Sequence, residues 1–348
     1  MLNVGLIGFG LGGATFHAPF ISRTQGLRLS AIVTGNEERR RAASVEYPDA
    51  VILPDAAALL AESPDIIVIS TPNATHYPLA REAINAGAHV VVDKPFSVSS
   101  ADARALAQFA GAKGRFAIPF QNRRWDGDFL TLKALIAAGT LGRVSRFESR
   151  FDRWRMIPKP GWQLHDAAER GESILHDLHT HLIDQALVLF GPATHVYAEL
   201  RRVRPETTVA DDAFVALTHA SGVESHLTAS IAAGQAGPRY HAMGSHAAYV
   251  KHGVDIQEET LRAGMRPGAP AYGDEPRERW GTVGAGAQVT EVPTLRGDYS
   301  PFYAGVAAAV LDGAPLPVDV ERVINGLEIV EAAFRSSEQK EVIALEPA

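Results

Sequence analysis

The segment His89-Val90-Val91-Val92-Asp93-Lys94-Pro95 constrains the fold of this chain more than any other. Three consecutive valines leave no polar face, so they read as a short strand buried on both sides, as in a parallel sheet. Pro95 has no N–H for the ladder and ends it. A lysine then stands at the carboxyl end of a buried strand, the edge at which open parallel sheets bind their ligands. An ammonium group is costly to desolvate. At that place it either meets an anion or a polarised oxygen, or it snorkels from the strand tip into water.

The surrounding pattern supports the parallel reading. Residues 1 to about 122 alternate short apolar runs with helical stretches, as in a doubly wound Rossmann sheet. Val4–Ile7, Leu29–Val33, Ile66–Ile69 and His89–Val92 are clear strands, and Val51–Leu53 and Phe116–Ile118 are weaker ones. Helical patterns fall near Ala14–Thr24, Glu37–Glu46, Asp55–Glu62, His76–Ala86 and Ser99–Lys113, with Asp55 and Ser99 as N-caps and Gly87 as a C-cap glycine. From residue 123 the character changes. A helix over Asp128–Ala138 is followed by longer alternating runs, Arg143–Phe151, His195–Arg202, Phe214–Thr218 and Val223–Ile231, which suit an antiparallel sheet with one covered face. Residues 233–298 read as hairpins and long loops of that sheet, with weak strands near Ala247–Lys251 and Val289–Val292. A final helix spans about 321–336. The expected fold class is therefore α/β: a Rossmann domain over 1–122, then an α/β domain over 123–348 with a large, mostly antiparallel open sheet. An open sheet with a bare apolar face predicts a homodimer or homotetramer built through this second domain.

A chain of 348 residues exceeds one ordinary core, in keeping with two domains. The net charge of −7, with both signs interspersed, argues against nucleic acid or anionic membrane as partners. Absence of cysteine removes disulfides, thiolate metal sites and a cysteine nucleophile together. Met1-Leu2-Asn3 runs straight into a strand, without a basic leader or cleavage site, so the cytoplasm is the expected compartment.

Strand one leads into Gly8-Phe9-Gly10-Leu11-Gly12-Gly13 and then a helix. Gly8, Gly10 and Gly13 have the G-x-G-x-x-G spacing: a tight turn, close backbone approach to a pyrophosphate, and close helix packing. The helix N-terminus then faces the phosphates. Strand two ends in Val33-Thr34-Gly35-Asn36, where an NAD site usually carries an acid for the ribose hydroxyls. Glu37 and Glu38 come too late. Thr34, Asn36 and Arg39 or Arg40 can instead receive a 2′-phosphate, which favours NADP, with NAD as the alternative. After strand four, Ser70-Thr71-Pro72-Asn73-Ala74-Thr75-His76 offers Thr71 and Asn73 to a ribose or phosphate, or folds as an Asx turn into a helix.

G-x-G-x-x-G, then T-P-N-x-x-H, then an acidic-Lys-Pro tripeptide, in this order, resembles the glucose–fructose oxidoreductase/inositol dehydrogenase (Gfo/Idh/MocA) family over nearly the whole chain. The resemblance implies hydride transfer between a hydroxyl and a ketone of a sugar or cyclitol, with NAD or NADP. It also implies cofactor contacts from Gly12, His76 and Asn122. In the second domain, Ser173-Ile174-Leu175-His176-Asp177-Leu178-His179-Thr180-His181 carries the family's Asp and His four residues apart. On a helix that spacing puts Asp177 and His181 on one face. The resemblance makes Lys94 the group on the reacting hydroxyl, His181 the base and Asp177 the residue that holds both. Oxidising an alcohol needs such a base and a positive group beside the developing carbonyl oxygen. Asp93 stands where the family mostly has Glu. Gly171-Glu172-Ser173 replaces a more glycine-rich stretch.

Gly12-Gly13-Ala14-Thr15-Phe16-His17-Ala18-Pro19, the segment Gln121-Asn122-Arg123-Arg124-Trp125, Phe151-Asp152-Arg153-Trp154-Arg155 and Asp184-Gln185 are similar to the scyllo-inositol dehydrogenase-like branch. Arg153, Trp154 and Trp162 suit a polyol, whose hydroxyls take hydrogen bonds and whose C–H faces take aromatic rings; loop packing explains the tryptophans equally well. Arg124 is a further substrate candidate, and Arg123 or Arg124 can equally pair with a carboxylate. Two rival functions remain. His165, His176, Asp177, His179 and His181 invite a metal-dependent hydrolase or lyase, although His176 and His179 would point away from His181 on a helix. The fold also serves sensors that bind the dinucleotide without turning it over, but such a protein does not need Lys94, Asp177 and His181 together.

Overall fold

The valine run is the strand the sequence predicts, buried along its length beside others of the same kind. A computed structural model of the chain describes residues 1–157, 171, 173–205 and 207–346. In chain order the first strands and helices are β1 (Leu2–Ile7), α1 (Ala18–Ile21), β2 (Leu27–Val33), α2 (Glu37–Glu46), β3 (Val51–Leu53) and α3 (Ala56–Ala61). Then follow β4 (Ile66–Ile69), α4 (His76–Asn85), β5 (His89–Val92), α5 (Ser100–Ala112) and β6 (Ala117–Pro119). Among the described residues these strands form a six-stranded sheet in the order β3-β2-β1-β4-β5-β6, parallel at every pairing. Every residue of β4 is buried, as are Val90, Val91 and Val92, because helices cover both faces of a doubly wound sheet. The strand order reverses between β1 and β4, which opens the crevice where such sheets bind ligands.

Local chemistry sets the helix starts. Asp55 Oδ1 accepts the Ala58 N–H at 2.9 Å, Ser99 Oγ accepts that of Asp102 at 3.1 Å, and Asn36 Oδ1 that of Arg39 at 2.9 Å. Gly87, with φ of +96°, follows α4 in a conformation that costs a side-chain-bearing residue energy. The helix expected over Ala14–Thr24 differs in kind. A wide π turn covers Gly13–His17 before the single turn of α1.

Two compact units are distinguished. The first contains Met1–Asn122, Glu258–Tyr272 and Asp298–Ile324, and the second Arg123–Gln257, Gly273–Gly297 and Asn325–Ala348. The sequence predicts one boundary after residue 122 and places all of 233–298 with the second sheet, whereas the chain returns twice to the first unit. One return carries most of α8 (Gln257–Arg262) and the other carries α9 (Ser300–Asp312), a helix the sequence reading did not predict.

The second unit is built on α6 (Gly127–Ala137), β7 (Val144–Asp152), α7 (Thr180–Phe190), β8 (Ala193–Arg201), β9 (Asp212–His219), β10 (Glu224–Ser230), β11 (Tyr240–Gly244) and β12 (Ala248–Lys251). It also takes in β13 (Gly281–Ala285), β14 (Gln288–Val292), most of α10 (Val320–Gln339) and β15 (Ile343–Ala344). Among the described residues these strands form a nine-stranded sheet, β14-β13-β12-β11-β7-β10-β9-β8-β15, antiparallel except for β7 with β10. Inward residues Phe147, Leu227, Val215 and Val196 pack with Leu132, Leu182, Ala186 and Val330 of the helices in one core. Residues on the other face, such as Glu148, Arg150, Phe214, His226 and Met243, are half-buried. That face is mixed in polarity, not the broadly apolar surface expected.

Candidate active site

Gly8 closes the turn after β1. Its N–H donates to Val33 O at 2.9 Å, its φ is +99°, and a Cβ there would lie 2.0 Å from Ser70 O. Gly13 is equally bound to be glycine, because its Cβ would lie 2.0 Å from Gly8 O where the helix meets the turn. Gly10 is different. Among the described residues a Cβ there would meet only the Arg39 guanidinium, with Nη1 at 3.5 Å. The turn is thus tight where strand and helix meet and open where a pyrophosphate approaches, which fits a dinucleotide.

Arg39, exposed near the start of α2, reaches over this open glycine, whereas Arg40 Nε donates to Thr34 O at 3.1 Å. Thr34 is buried and Asn36 Oδ1 is engaged as the cap of α2. Of the side chains expected to receive a 2′-phosphate, Arg39 therefore stands out at the glycine turn.

The ends of β1, β4 and β5 lie side by side, and three loops converge there. Ser70 Oγ donates to Asp93 Oδ2 at 2.9 Å, and the Lys94 N–H donates to Asp93 Oδ1 at 2.7 Å. A Cβ on Gly12 would come 2.4 Å from Ser70 Oγ and 2.8 Å from Asp93 Oδ2, so Gly12 lets the glycine turn close over this pair. His17 Nε2 stands 3.3 Å from Asp93 Oδ2, and its Nδ1 is 2.6 Å from the Tyr303 hydroxyl. Burial opposes ionisation of Asp93, but His17, Lys94 and His76 outweigh it and hold the carboxyl well below the usual carboxylate range. Lys94 itself is half-buried, and the Lys94–Pro95 peptide is cis. His17 and Tyr303 were not among the residues singled out by sequence. His17 sits in a segment that drew attention for its resemblance alone, and Tyr303 carries no local signal.

His76, expected to touch cofactor, is buried, with Nδ1 2.8 Å from Pro95 O and Nε2 2.9 Å from Thr71 O. The ring lies between the Thr71 loop and the Lys94-Pro95 loop, and in its neutral form it donates to one of the two carbonyls. Desolvation lowers its pKa against the pull of those two carbonyls. Thr71 Oγ1 is 2.7 Å from Thr75 Oγ1, and Asn73–Thr75 forms a short 3-10 turn. Asn122 opens another such turn just beyond β6.

In the second unit, Asp177 and His181 share a continuous helical segment, but not a regular α-helix. Leu175–His179 is a π turn that runs into α7, a geometry common where helices carry functional groups. Asp177 is half-buried and His181 buried. The neighbouring histidines have structural partners. His176 Nδ1 is 3.0 Å from Ser173 Oγ and its ring packs against Phe334, while His179 Nε2 is 3.3 Å from Leu227 O. Burial drives the His179 pKa down to about 4. Among the described residues no group of three or more histidines and acids is placed to hold a metal ion. His165, Trp162 and Glu172 lie outside the described residues.

Arg124, expected at the substrate, forks onto Asp184 with Nε at 2.8 Å and Nη2 at 2.6 Å. That bidentate pair fixes its guanidinium to α7. Arg153 continues the sheet through its N–H to Ser230 O at 2.8 Å. Trp154 bridges to Ala232 through its backbone and is 64% exposed.

Comparison with known proteins identifies the family. Residues 2–120 match the "Oxidoreductase family, NAD-binding Rossmann fold", and residues 129–250 the "GFO/IDH/MocA C-terminal domain". The chain is 38% identical to the uncharacterized oxidoreductase YdgJ of Escherichia coli, over 99% of both chains. It is 31% identical to the scyllo-inositol 2-dehydrogenase (NADP(+)) IolW of Bacillus subtilis, over 99% of this chain and 96% of the other. The solved structure of the oxidoreductase yvaA from Bacillus subtilis matches with a TM-score of 0.93 at 31% identity, covering 99% of each chain. With both halves matched and full-length relatives above 30% identity, the chain belongs to the Gfo/Idh/MocA family of NAD-binding oxidoreductases.

Proposed function

We propose that this oxidoreductase is an NADP-preferring dehydrogenase that interconverts a secondary hydroxyl and a ketone on a cyclitol or sugar. The observation that carries the reading is Lys94, set just beyond β5 by its N–H to Asp93, at the sheet edge that holds the glycine turn. An ammonium there stabilises the oxygen that becomes a carbonyl. His181 takes the hydroxyl proton, and Asp177, on the same helical segment, holds substrate and imidazole in place. The bound nicotinamide supplies the hydride acceptor. The exposed ring of Trp154 and the Arg153 side chain suit the C–H faces and hydroxyls of a polyol.

For the cofactor, the reading rests on the absence of an acid after Val33, on Arg39 above Gly10, and on the NADP(+) in the name of the Bacillus subtilis relative. A cytoplasmic setting, where NADP is plentiful, fits it. The outer face of the second sheet carries Phe214 and Met243 among polar side chains, and such a mixture, common in protein–protein interfaces, supports a homodimer or homotetramer. The test is a panel of cyclitols, aldoses and their keto forms, followed by cofactor absorbance with NAD and NADP in parallel. Turnover of scyllo-inositol or a related polyol, faster with NADP, is expected. Failure of every cyclitol and sugar with both cofactors would discard the substrate class.

A further inference from the structure

We propose that His17 and Tyr303 are positioning residues, a buried pair that holds the Asp93 carboxylate so that it fixes Lys94 at the end of β5. The inference rests on the assignment of Lys94 above and adds the device that places it. Asp93 is the hub. One oxygen accepts the Lys94 N–H at 2.7 Å, and the other accepts Ser70 Oγ at 2.9 Å and faces His17 Nε2 at 3.3 Å. Behind His17, the Tyr303 hydroxyl lies 2.6 Å from Nδ1.

The direction of the hydrogens follows from the partners. An ionised carboxylate only accepts, so the nitrogen facing it carries a hydrogen, and Nδ1 is left to the Tyr303 O–H. His17 is fully buried and its ring lies against Phe120, with centroids 4.3 Å apart, so the imidazole has little room to turn. Tyr303 comes from α9, in a segment that returns to the first unit late in the chain. His17 ends the π turn Gly13–His17, a widening that sets its ring against the loop after β5 instead of along a regular helix face.

Asp93 has a single methylene between its backbone and its carboxylate. A short side chain bound to the backbone next to it cannot also reach outward for a partner. His17, backed by Tyr303, comes in to meet it.

The charged and titratable groups around Asp93 are His17, Lys94 and His76, with Tyr303 behind His17. Of these, His76 packs against the far side of the same loop, with Nδ1 2.8 Å from Pro95 O. Lys94 is thus located by its own N–H on one side and by the following carbonyl on the other.

Two measurements test the pair. The first needs no substrate. Nitrogen-15 NMR of the histidine rings in the intact protein should show His17 Nε2 bearing hydrogen, with its Nδ1 signal moved in Tyr303→Phe. A bare Nε2 would overturn the proposal. The second is a double-mutant cycle with scyllo-inositol and NADP, its rates normalised to titrated cofactor sites. His17→Gln should lower kcat by on the order of 10- to 100-fold, as misplacement of a reacting group does, with the cofactor KM changed by no more than about twofold. In a Lys94→Ala background the same substitution should cost almost nothing, because the group it positions is gone. Equal losses in both backgrounds overturn the positioning role while leaving Lys94 catalytic. A fully active Lys94→Ala enzyme removes the catalytic reading and this inference with it. Where His17→Gln folds poorly, Tyr303→Phe deletes a single oxygen and should show the same non-additivity.

Discussion

Replacing Lys94 with alanine deletes a charge from the end of β5 and leaves the glycine turn untouched. A loss of on the order of 10²–10³ in kcat is expected, as for other preorganised oxyanion donors, with cofactor affinity by fluorescence titration nearly unchanged. His181→Asn should flatten the acid limb of the oxidation rate, because a protonated imidazole cannot accept the hydroxyl proton. His179→Asn should leave that limb in place and act on stability instead. The His179 pKa falls from 6.5 to about 4 on folding, so the folded state disfavours its proton. Its stabilisation is present above 6.5 and lost as pH falls towards 4, on the order of 3 kcal/mol in all. Urea unfolding at pH 7 and pH 5 should show this slope in the wild type and less of it in His179→Asn. An identical slope in both would mean that this ring does not carry the proton linkage.

At the scale of the element, the strand-to-helix turn after β1 separates packing glycines from Gly10, the glycine proposed to face the dinucleotide. Gly13→Ala forces a Cβ to 2.0 Å from Gly8 O, so either the helix shifts or the turn opens. A destabilisation of roughly 1–3 kcal/mol is expected, visible as a lower Tm together with lost cofactor binding. Gly10→Ala should fold normally and weaken cofactor binding alone, because its Cβ points at Arg39. Equal Tm losses in the two variants would show that the turn does not divide in this way. On α2 the same logic singles out Arg39. Arg39→Ala should weaken NADP by ~1–3 kcal/mol and leave NAD almost unaffected, since the lost contact is to the phosphate that NAD lacks. Parallel titrations with both cofactors decide it, and equal weakening would place Arg39 on some other part of the dinucleotide.

For the whole molecule, the proposed assembly would use the outer face of the nine-stranded sheet. Phe214 and His226 meet edge to face there with ring centroids 5.6 Å apart, among charged neighbours such as Glu148 and Arg150. A symmetric dimer or tetramer is expected by light scattering, and Phe214→Arg should shift it towards monomer. A wild-type protein that stays monomeric at high concentration would remove this surface from consideration. Among the described residues no helix is long and apolar enough to cross a membrane.

Much of this architecture was legible in the sequence, because its signals are local. Three valines without a polar face make a doubly covered strand, glycines at fixed spacing make the turn, and Asp55 and Ser99 cap helices through hydrogen bonds three residues long. Those interactions need no knowledge of where the rest of the chain goes. The site's detail was decided elsewhere. His76 reads as a ligand-facing motif residue, yet both its nitrogens face carbonyls of neighbouring loops. Arg124 reads equally as a substrate contact or as the partner of a carboxylate, and Asp184, 60 residues on, takes it. His17 and Tyr303 lie 286 residues apart. A polar side chain is written the same way in sequence whether its partner is substrate, solvent or protein. Only the tertiary path, which brings distant donors and acceptors within about 3 Å of each other, chooses among them.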